Sequence, residues 1–88
     1  MRPEAEIEQY FKKKAKEHDV FQCKFSSGIT GVPDRIIIKG VTAFVELKAI
    51  NGHLSSRQEL VIRTMRKHGA IVYVPKSKEE IDILFENL

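Results

Sequence analysis

Two apolar runs separated by a glycine turn stand out in residues 31–48, which read GVPDRIIIKGVTAFVELK. Pro33 holds the chain extended ahead of the first run, at 35–38, and Lys39-Gly40 is typical of a tight turn. The second run, at 42–48, has the length and the aromatic and β-branched content of a strand. We therefore expect two strands that pair antiparallel about this turn.

The segments on either side of this hairpin predict three helices and two more strands. Apolar residues recur at three- and four-residue spacing in each helix, and serine capping boxes begin the last two. The expected elements are a helix over 4–17, strands over 19–25, 35–38 and 42–48, a helix from Ser55 or Ser56 to about His68, a strand over 70–74 and a final helix over 77–88. The strand–helix–strand unit should be a right-handed crossover with parallel strands. The sequence thus predicts an α/β fold with a mixed sheet flanked by helices, in the order αβββαβ plus a C-terminal helix.

Length and composition limit the class of protein. A chain of 88 residues supports one domain, which we assign to residues 1–88. The single cysteine, Cys23, excludes a disulfide framework and a multi-cysteine zinc site. No apolar run reaches the roughly 20 residues of a membrane-spanning helix, and no signal peptide opens the chain. We expect a cytoplasmic protein without membrane association.

The net charge of +3 is unevenly distributed along the chain. Residues 76–88 sum to −2, so the first 75 residues carry +5. A field of that sign weakly favours a polyanionic partner, although a solvated helix face explains the same lysines. The candidate contacts to nucleic-acid phosphates are Lys12, Lys13, Lys16, His53 and Arg57.

Polar residues interrupt the most apolar part of the chain at two points. Asp34 precedes the first run of the hairpin, and Glu46 and Lys48 end the second. Taken singly, Asp34 fits a turn residue and the other two fit a surface ion pair. The predicted hairpin, however, places Asp34 opposite roughly residues 46–48, so the three side chains should converge.

Converging carboxylates and a lysine have a definite chemistry. Two adjacent carboxylates repel unless a cation lies between them. Mg²⁺ is bound by one or two carboxylates with waters and phosphate oxygens, and the Leu47 backbone carbonyl can add a ligand. A metal held by Asp34 and Glu46 would activate water and neutralise phosphoryl charge, while Lys48 would hold the attacking water or stabilise the phosphorane.

Three more residues are candidates for the same site. Gln58 shares a helix face with apolar residues and can orient a water or a phosphate oxygen there, although it also suits a helix cap. Glu4 and Glu8 lie on the inward side of the first helix, and either can add a carboxylate. Favourable interaction with the helix dipole is the alternative explanation for Glu4.

The sequence resembles the PD-(D/E)XK nuclease superfamily, and within it the VRR-NUC (virus-type replication-repair nuclease) branch. The resemblance covers essentially the whole chain, including the αβββαβ order. The motifs that carry it are Gly31-Val32-Pro33-Asp34, Phe44-Val45-Glu46-Leu47-Lys48 and Leu54-Ser55-x-x-Gln58.

The resemblance implies a restriction-endonuclease-like core and a phosphodiesterase that depends on Mg²⁺, with Mn²⁺ able to substitute, and no organic cofactor. It implies that Asp34 and Glu46 are metal ligands, that Lys48 is the catalytic lysine and that Gln58 is the motif glutamine. The amino-terminal glutamate of the family best matches Glu4, with Glu8 as the fallback.

Stand-alone members of this branch resemble archaeal Holliday-junction resolvases and tend to be homodimers. The expected function is therefore structure-selective cleavage of branched DNA by a homodimer, in the cytoplasm of a bacterial or phage-infected cell. A two-fold dimer would present two matching sites to a symmetrical junction. The alternatives are a flap or less selective DNA nuclease, a non-catalytic nucleic-acid-binding module on the same fold, and a nuclease directed at RNA.

Overall fold

The computed structural model describes residues 2–88, which form three helices and one four-stranded sheet. The elements are α1 (Pro3–Glu17), β1 (Phe21–Lys24), β2 (Arg35–Ile38), β3 (Thr42–Val45), α2 (Ser56–Lys67), β4 (Val72–Tyr73) and α3 (Lys78–Glu86). This order confirms the predicted αβββαβ arrangement with a C-terminal helix. None of the helices in this range is long and apolar enough to cross a membrane.

The sheet is mixed, and its strands lie side by side in sequence order. β1 pairs antiparallel with β2, β2 pairs antiparallel with β3, and β3 pairs parallel with β4. In the central hairpin Arg35 lies opposite Val45 and Ile38 lies opposite Thr42. Gly40 turns the chain with a φ of +73°, a conformation that favours a residue without a Cβ atom. Both the antiparallel hairpin and the parallel crossover agree with the sequence-based prediction.

The two outer strands are shorter than predicted. β1 covers Phe21–Lys24 rather than 19–25, because Asp19 takes a left-handed φ of 54° as the chain leaves α1. β4 covers only Val72–Tyr73 rather than 70–74, because its pairing is limited to the last two residues of β3.

The third strand also ends earlier than predicted, at Val45 rather than Lys48. Its partner β2 begins opposite Val45, so the antiparallel pairing stops there. The following segment nevertheless stays attached to the β4 side. The Glu46 amide donates to the Tyr73 carbonyl at 2.9 Å, and the Lys48 amide donates to the Pro75 carbonyl at 3.1 Å. The segment that holds the candidate site is therefore fixed on one side and open on the other.

One face of the sheet carries the hydrophobic core. Ile37, Ala43 and Val45 share this face, because side chains alternate along a strand, and all three are buried. α1 adds Ile7, Phe11 and Ala15, and α3 adds Ile81, Leu84 and Phe85. Burying one large apolar side chain contributes about 1.5–3 kcal/mol, so this cluster is what attaches α1 and α3 to the sheet.

α2 packs on the opposite face, beside β4, and buries Ile62 there. The loop before β2 lies close to this helix at Gly31. A Cβ atom on Gly31 would lie 3.0 Å from a methyl group of Val61 and 3.1 Å from the Arg57 carbonyl, and the φ of Gly31 is +99°. Glycine is required here by both the close approach and the backbone conformation. The glycine of the Gly-x-Pro-Asp motif thus lets α2 and the loop before Asp34 pack together.

A polar contact between α1 and α3 makes the stability of the fold depend on pH. Tyr10 donates a hydrogen bond of 2.7 Å to Asp82, and Lys14 lies 3.5 Å from the same oxygen. The Tyr10 hydrogen bond is the main cause that lowers the pKa of Asp82; burial opposes it, and the charge of Lys14 lowers the pKa further. The carboxylate form is therefore favoured by folding. This contribution is present above about pH 4 and is lost as the pH falls through the lowered value.

We predict that Tyr10→Phe, which keeps the ring, lowers the melting temperature by a few degrees at pH 7. The difference from the unaltered chain should disappear in strongly acidic buffer, once Asp82 is protonated in both proteins. Thermal melts followed by circular dichroism from pH 7 to pH 2 measure this. A difference that stays constant over the whole range would show that the hydrogen bond does not couple folding to Asp82.

Candidate active site

The end of the β2–β3 hairpin brings together the side chains that the sequence predicted to converge. Continuing the register by one pair beyond Arg35 and Val45 sets Asp34 beside Glu46. Glu46 and Lys48 point to the same side of the extended chain, with Glu46 Oε2 and Lys48 Nζ 3.8 Å apart. Their side chains are 12% and 21% exposed, so this is a half-buried pair rather than a surface ion pair.

The residue opposite Leu47 explains why its carbonyl is available. The amides of Phe44, Glu46 and Lys48 point toward β4 and the residues that flank it. Because the direction of backbone groups alternates along an extended chain, those of Val45 and Leu47 point to the β2 side. Extending the β2–β3 register places Pro33 opposite Leu47, and proline has no N–H to donate. Within residues 2–88 the Leu47 carbonyl accepts no backbone hydrogen bond. Pro33 therefore leaves an oxygen free beside the two carboxylates.

These groups line a single cavity of about 180 Å³ between the open end of the hairpin and the start of α1. Its lining residues are Glu4, Ile7, Glu8, Asp34, Arg35, Glu46, Leu47, Lys48 and Ala49. A larger hollow of about 270 Å³ between β4 and α3 is lined mainly by apolar side chains and contains none of the predicted site residues. The structure thus places every predicted metal ligand and the predicted catalytic lysine around one small polar space.

Glu46 is electrostatically strained in this cavity. Partial burial is the main cause that raises its pKa above the ordinary value, and the negative charge of Asp34 raises it further. The charge of Lys48 and a backbone hydrogen bond from Asp34 act in the opposite direction without cancelling the increase. A positive charge between the two carboxylates would remove this strain.

Gln58 forms the helix cap that the sequence suggested, and its side chain also reaches Glu46 of the candidate site. Its side-chain oxygen accepts from the Ser55 amide at 2.9 Å, and Ser55 Oγ accepts from the Gln58 amide at 3.1 Å, which completes a capping box at the start of α2. Its side-chain nitrogen donates to Glu46 Oε2 at 3.5 Å, a long hydrogen bond. Gln58 therefore connects the α2 cap to the candidate site and helps to orient Glu46.

We predict that Gln58→Ala lowers the cleavage rate by about tenfold, because outer partners of a ligating carboxylate typically contribute that much. Ser55→Ala is the matched control, since it removes the other half of the same capping box and does not contact Glu46. Both variants should lose about 1 kcal/mol of stability. Cleavage rates and melting curves measure the two effects. Equal rates in both variants would show that Gln58 acts only as a cap.

The structure distinguishes the surroundings of the two α1 glutamates, although both line the cavity. Glu4 lies exposed in the first turn of the helix. Glu8 is held by two cations, with Lys12 at 3.2 Å and Arg35 at 3.1 Å. The Lys12 hydrogen bond lowers the pKa of Glu8, and the charge of Arg35 adds to this against partial burial. Glu4 remains the first candidate for an additional ligand, because its carboxylate has no comparable ion pair among residues 2–88.

Sequence reasoning missed one residue at this cavity. Arg35 was placed only as the first residue of a strand, yet its side chain is 2% exposed and lines the cavity. The signal was available, because Arg35 has the same strand parity as the core residue Ile37. An arginine on a core face needs partners from other elements, and Glu8 of α1 is one of them.

Comparison with known proteins gives an independent line of support. The family model of the VRR-NUC domain matches residues 2–79. The chain belongs to the VRR-NUC family. A solved structure described as a VRR_NUC domain has a TM-score of 0.86 and 31% sequence identity to it, over 98% of this chain and 97% of that chain. The search of the curated proteins gave no match. The resemblance inferred from the motifs is confirmed, and membership gives this VRR-NUC chain a nuclease-type fold and indicates DNA as its substrate.

The predicted phosphate contacts of this VRR-NUC chain lie in two separate regions. His53 is exposed in the segment between Lys48 and α2, and Arg57, also exposed, is in the first turn of α2 next to Gln58. The lysines lie on the outer side of α1 and do not form one patch. Lys12 and Lys16 border β1, whereas Lys13 borders α3. Of the five residues, Arg57 adjoins Gln58 in the chain, His53 lies in the segment after Lys48, and Lys12 forms an ion pair with Glu8 at the edge of the cavity.

The donor set in this VRR-NUC cavity fits a magnesium or manganese ion. The candidate ligands are all oxygens, which are the ligands that Mg²⁺ prefers. Within residues 2–88 no group of three or more His, Cys, Asp or Glu side chains is arranged to hold a metal. The protein ligands would thus be the two carboxylates of Asp34 and Glu46 with the Leu47 carbonyl, and water and phosphate oxygens would complete the shell.

Proposed function

We propose that this VRR-NUC chain is an endonuclease that depends on Mg²⁺ or Mn²⁺ and hydrolyses phosphodiester bonds in branched DNA as a Holliday-junction-resolvase-like homodimer. It would act in the cytoplasm of a bacterial or phage-infected cell. The observation that supports the reaction is the placement of Asp34, Glu46 and Lys48 around one polar cavity. A module that only binds nucleic acid has no use for a carboxylate whose pKa is raised by burial and by the charge of a second carboxylate.

The residues of the cavity divide into metal ligands and groups that act on the phosphate. Asp34, Glu46 and the Leu47 carbonyl would hold the divalent ion, which supplies neutralisation of phosphoryl charge and activation of water. Lys48 reaches the same space and donates either to the attacking water or to the phosphoryl oxygen on which negative charge develops. Gln58 keeps the Glu46 carboxylate in place through its side-chain amide.

DNA would approach from the start of α2, where Gln58 contacts Glu46. Arg57 and His53 lie there and are suited to contact phosphates on either side of the cleaved bond. Such contacts position the backbone without reading base sequence, which agrees with selection by DNA structure.

A surface of the sheet supports the homodimer. Phe21 of β1 and Ile38 of β2 are register partners, so they lie side by side on the face opposite the core. They are 60% and 42% exposed. Adjacent exposed apolar side chains on a small chain are typical of a protein–protein contact. Analytical ultracentrifugation tests this surface, because Phe21→Ser should shift the chain from dimer to monomer.

A cleavage panel tests the proposed reaction. Labelled four-way junctions, flaps, replication forks, plain duplexes and single-stranded RNA are each incubated with Mg²⁺, Mn²⁺ or chelator. We expect cleavage of the four-way junction with either metal and none with chelator. Preferred cutting of flaps or equal cutting of all DNA would favour the less selective nuclease, and cutting of RNA alone would favour an RNA-directed enzyme. Salt-sensitive DNA binding without any cleavage would favour the non-catalytic nucleic-acid-binding module.

A further inference from the structure

Arg35 is a buried cation next to the proposed metal site. Its side chain is 2% exposed, and its Nη1 donates a 2.9 Å hydrogen bond to the Gln22 side chain of β1. Its guanidinium carbon lies 5.8 Å from the centre of the Phe11 ring. Arg35 Nη2 lies 3.1 Å from Glu8 Oε2, at ion-pair distance but without the geometry of a hydrogen bond. Nη2 is thus a buried donor that makes no hydrogen bond within residues 2–88.

A buried guanidinium in this position needs an explanation. Moving a cation out of water costs several kilocalories per mole unless opposite charge and hydrogen bonds compensate, and an unsatisfied buried donor adds to that cost. A leucine or valine at position 35 would fit the core face that Ile37 and Val45 form. Stability of the core therefore does not account for Arg35, whereas its charge has a direct effect on the cavity that it lines.

The charges around the cavity indicate what that effect is. Four carboxylates line it, and Arg35 and Lys48 are its two cations. The formal charge is therefore −2, which one divalent ion neutralises. Without Arg35 the charge would be −3, and the Glu8 carboxylate would keep only Lys12, on the side away from the cavity, as an ion-pair partner. Two divalent ions are held by acidic sites in many enzymes that cleave phosphodiester bonds, so a more acidic cavity favours a second ion.

We infer that Arg35 is a positioning residue that keeps the Glu8 carboxylate out of metal coordination, so that the cavity binds one divalent ion per chain. This rests on the proposed metal site and adds to it the number of ions and the reason for that number. Glu4, which Arg35 does not hold, is left as the α1 carboxylate that can reach the ion.

Mn²⁺ titration by isothermal calorimetry without DNA tests the inference. We expect one ion per chain in the unaltered protein. Arg35→Met should either bind a second ion or bind the first on the order of tenfold more tightly, because a unit charge next to a divalent ion has been removed. Arg35→Lys keeps the charge and should bind one ion. Lys12→Met is the matched control, since Lys12 pairs with the same carboxylate from the solvent side, and it should change the Mn²⁺ affinity by less than about twofold.

The double variant Arg35→Met with Glu8→Gln separates this role from a ligand role of Glu8. It restores the formal charge of −2, so its stoichiometry and affinity should return to those of the unaltered chain. Replacing both partners of a buried ion pair is usually tolerated by the fold. Weaker binding in the double variant would identify Glu8 as a metal ligand and overturn the inference.

Circular dichroism of each variant shows whether it folds. If Arg35→Met alone is unfolded, Glu8→Gln takes its place and is compared with the double variant. Glu8→Gln should bind Mn²⁺ on the order of tenfold more weakly than the double variant, because Arg35 then has no opposing charge. An isotherm unchanged by Arg35→Met, or equal in Glu8→Gln and the double variant where that comparison is needed, overturns the inference while leaving the proposed function intact. If the unaltered chain binds no Mn²⁺, both the inference and the proposed function are contradicted.

Discussion

Asp34→Asn is expected to lower the rate of Mg²⁺-dependent DNA cleavage by about a thousandfold or more and to leave DNA binding within about twofold. The substitution keeps the shape of the side chain and removes one of the two carboxylates that would hold the ion. A bound metal supplies several kilocalories per mole of transition-state stabilisation, which corresponds to a rate effect of this size. Single-turnover cleavage of a labelled four-way junction measures the rate, and fluorescence anisotropy measures the binding.

Asp19→Asn is the matched control for this loss. Asp19 is exposed between α1 and β1, away from the cavity, and its left-handed φ of 54° is one that asparagine also adopts. The control variant removes the same charge from the chain and should cleave at the rate of the unaltered protein. Loss of cleavage in both variants would point to net charge rather than to a metal ligand. Cleavage by Asp34→Asn at the unaltered rate would show that Asp34 is not a ligand.

The convergence behind this prediction could be read from the sequence because it depends on local rules. A turn at Gly40 and strand alternation fix which residues of the hairpin lie opposite one another. Counting back from the turn places Asp34 opposite roughly residues 46–48, and the observed register, continued by one pair beyond Arg35 and Val45, leads Asp34 to Glu46. The position of Gln58, in the cap of α2 and on the helix face toward the end of β3, could also be predicted, since a capping box and a helix face are both short-range patterns.

The strand ends and the role of Arg35 were not readable, because they depend on contacts between distant parts of the chain. The early end of β3 follows from where β2 begins, and the two-residue β4 follows from how little of β3 remains for it. Strand parity indicates the core face for Arg35, but its partners, which are Phe11 and Glu8 of α1 and Gln22 of β1, depend on how these elements pack. No spacing rule predicts how α1 is rotated against the sheet to within one turn.

The rotation of α1 against the sheet also determines how the surroundings of its two cavity glutamates differ. Both Glu4 and Glu8 point to the cavity, as their four-residue spacing requires. They differ in that Glu8 lies over the buried Arg35, a distinction that sequence could not provide. Two kinds of contact thus determine the site. Local pairing within the hairpin positions the candidate ligands, and the packing of α1 against the sheet sets the charge around them.

Lys48→Met should reduce cleavage by about a thousandfold while Mg²⁺ binding is retained or becomes slightly tighter. The lysine lies 3.8 Å from Glu46 and carries one of the two positive charges of the cavity, so its loss makes the space more negative. Greater negative charge favours a divalent ion. The reaction slows because no ammonium donates to the attacking water or to the phosphoryl oxygen in the transition state. Metal affinity and turnover should therefore change in opposite directions.

Calorimetry with Mg²⁺ and single-turnover cleavage, performed on the same preparation, measure the two quantities. Lys78→Met is the control, because Lys78 is exposed on α3 and does not line the cavity, so both quantities should stay within about twofold. Lys48→Arg keeps the charge but has a wider, planar head, so it should bind Mg²⁺ like the unaltered chain and recover only part of the rate. A fall in Mg²⁺ affinity in Lys48→Met would contradict the catalytic role. It would mean that the lysine maintains the geometry of the ligands and that another group stabilises the transition state.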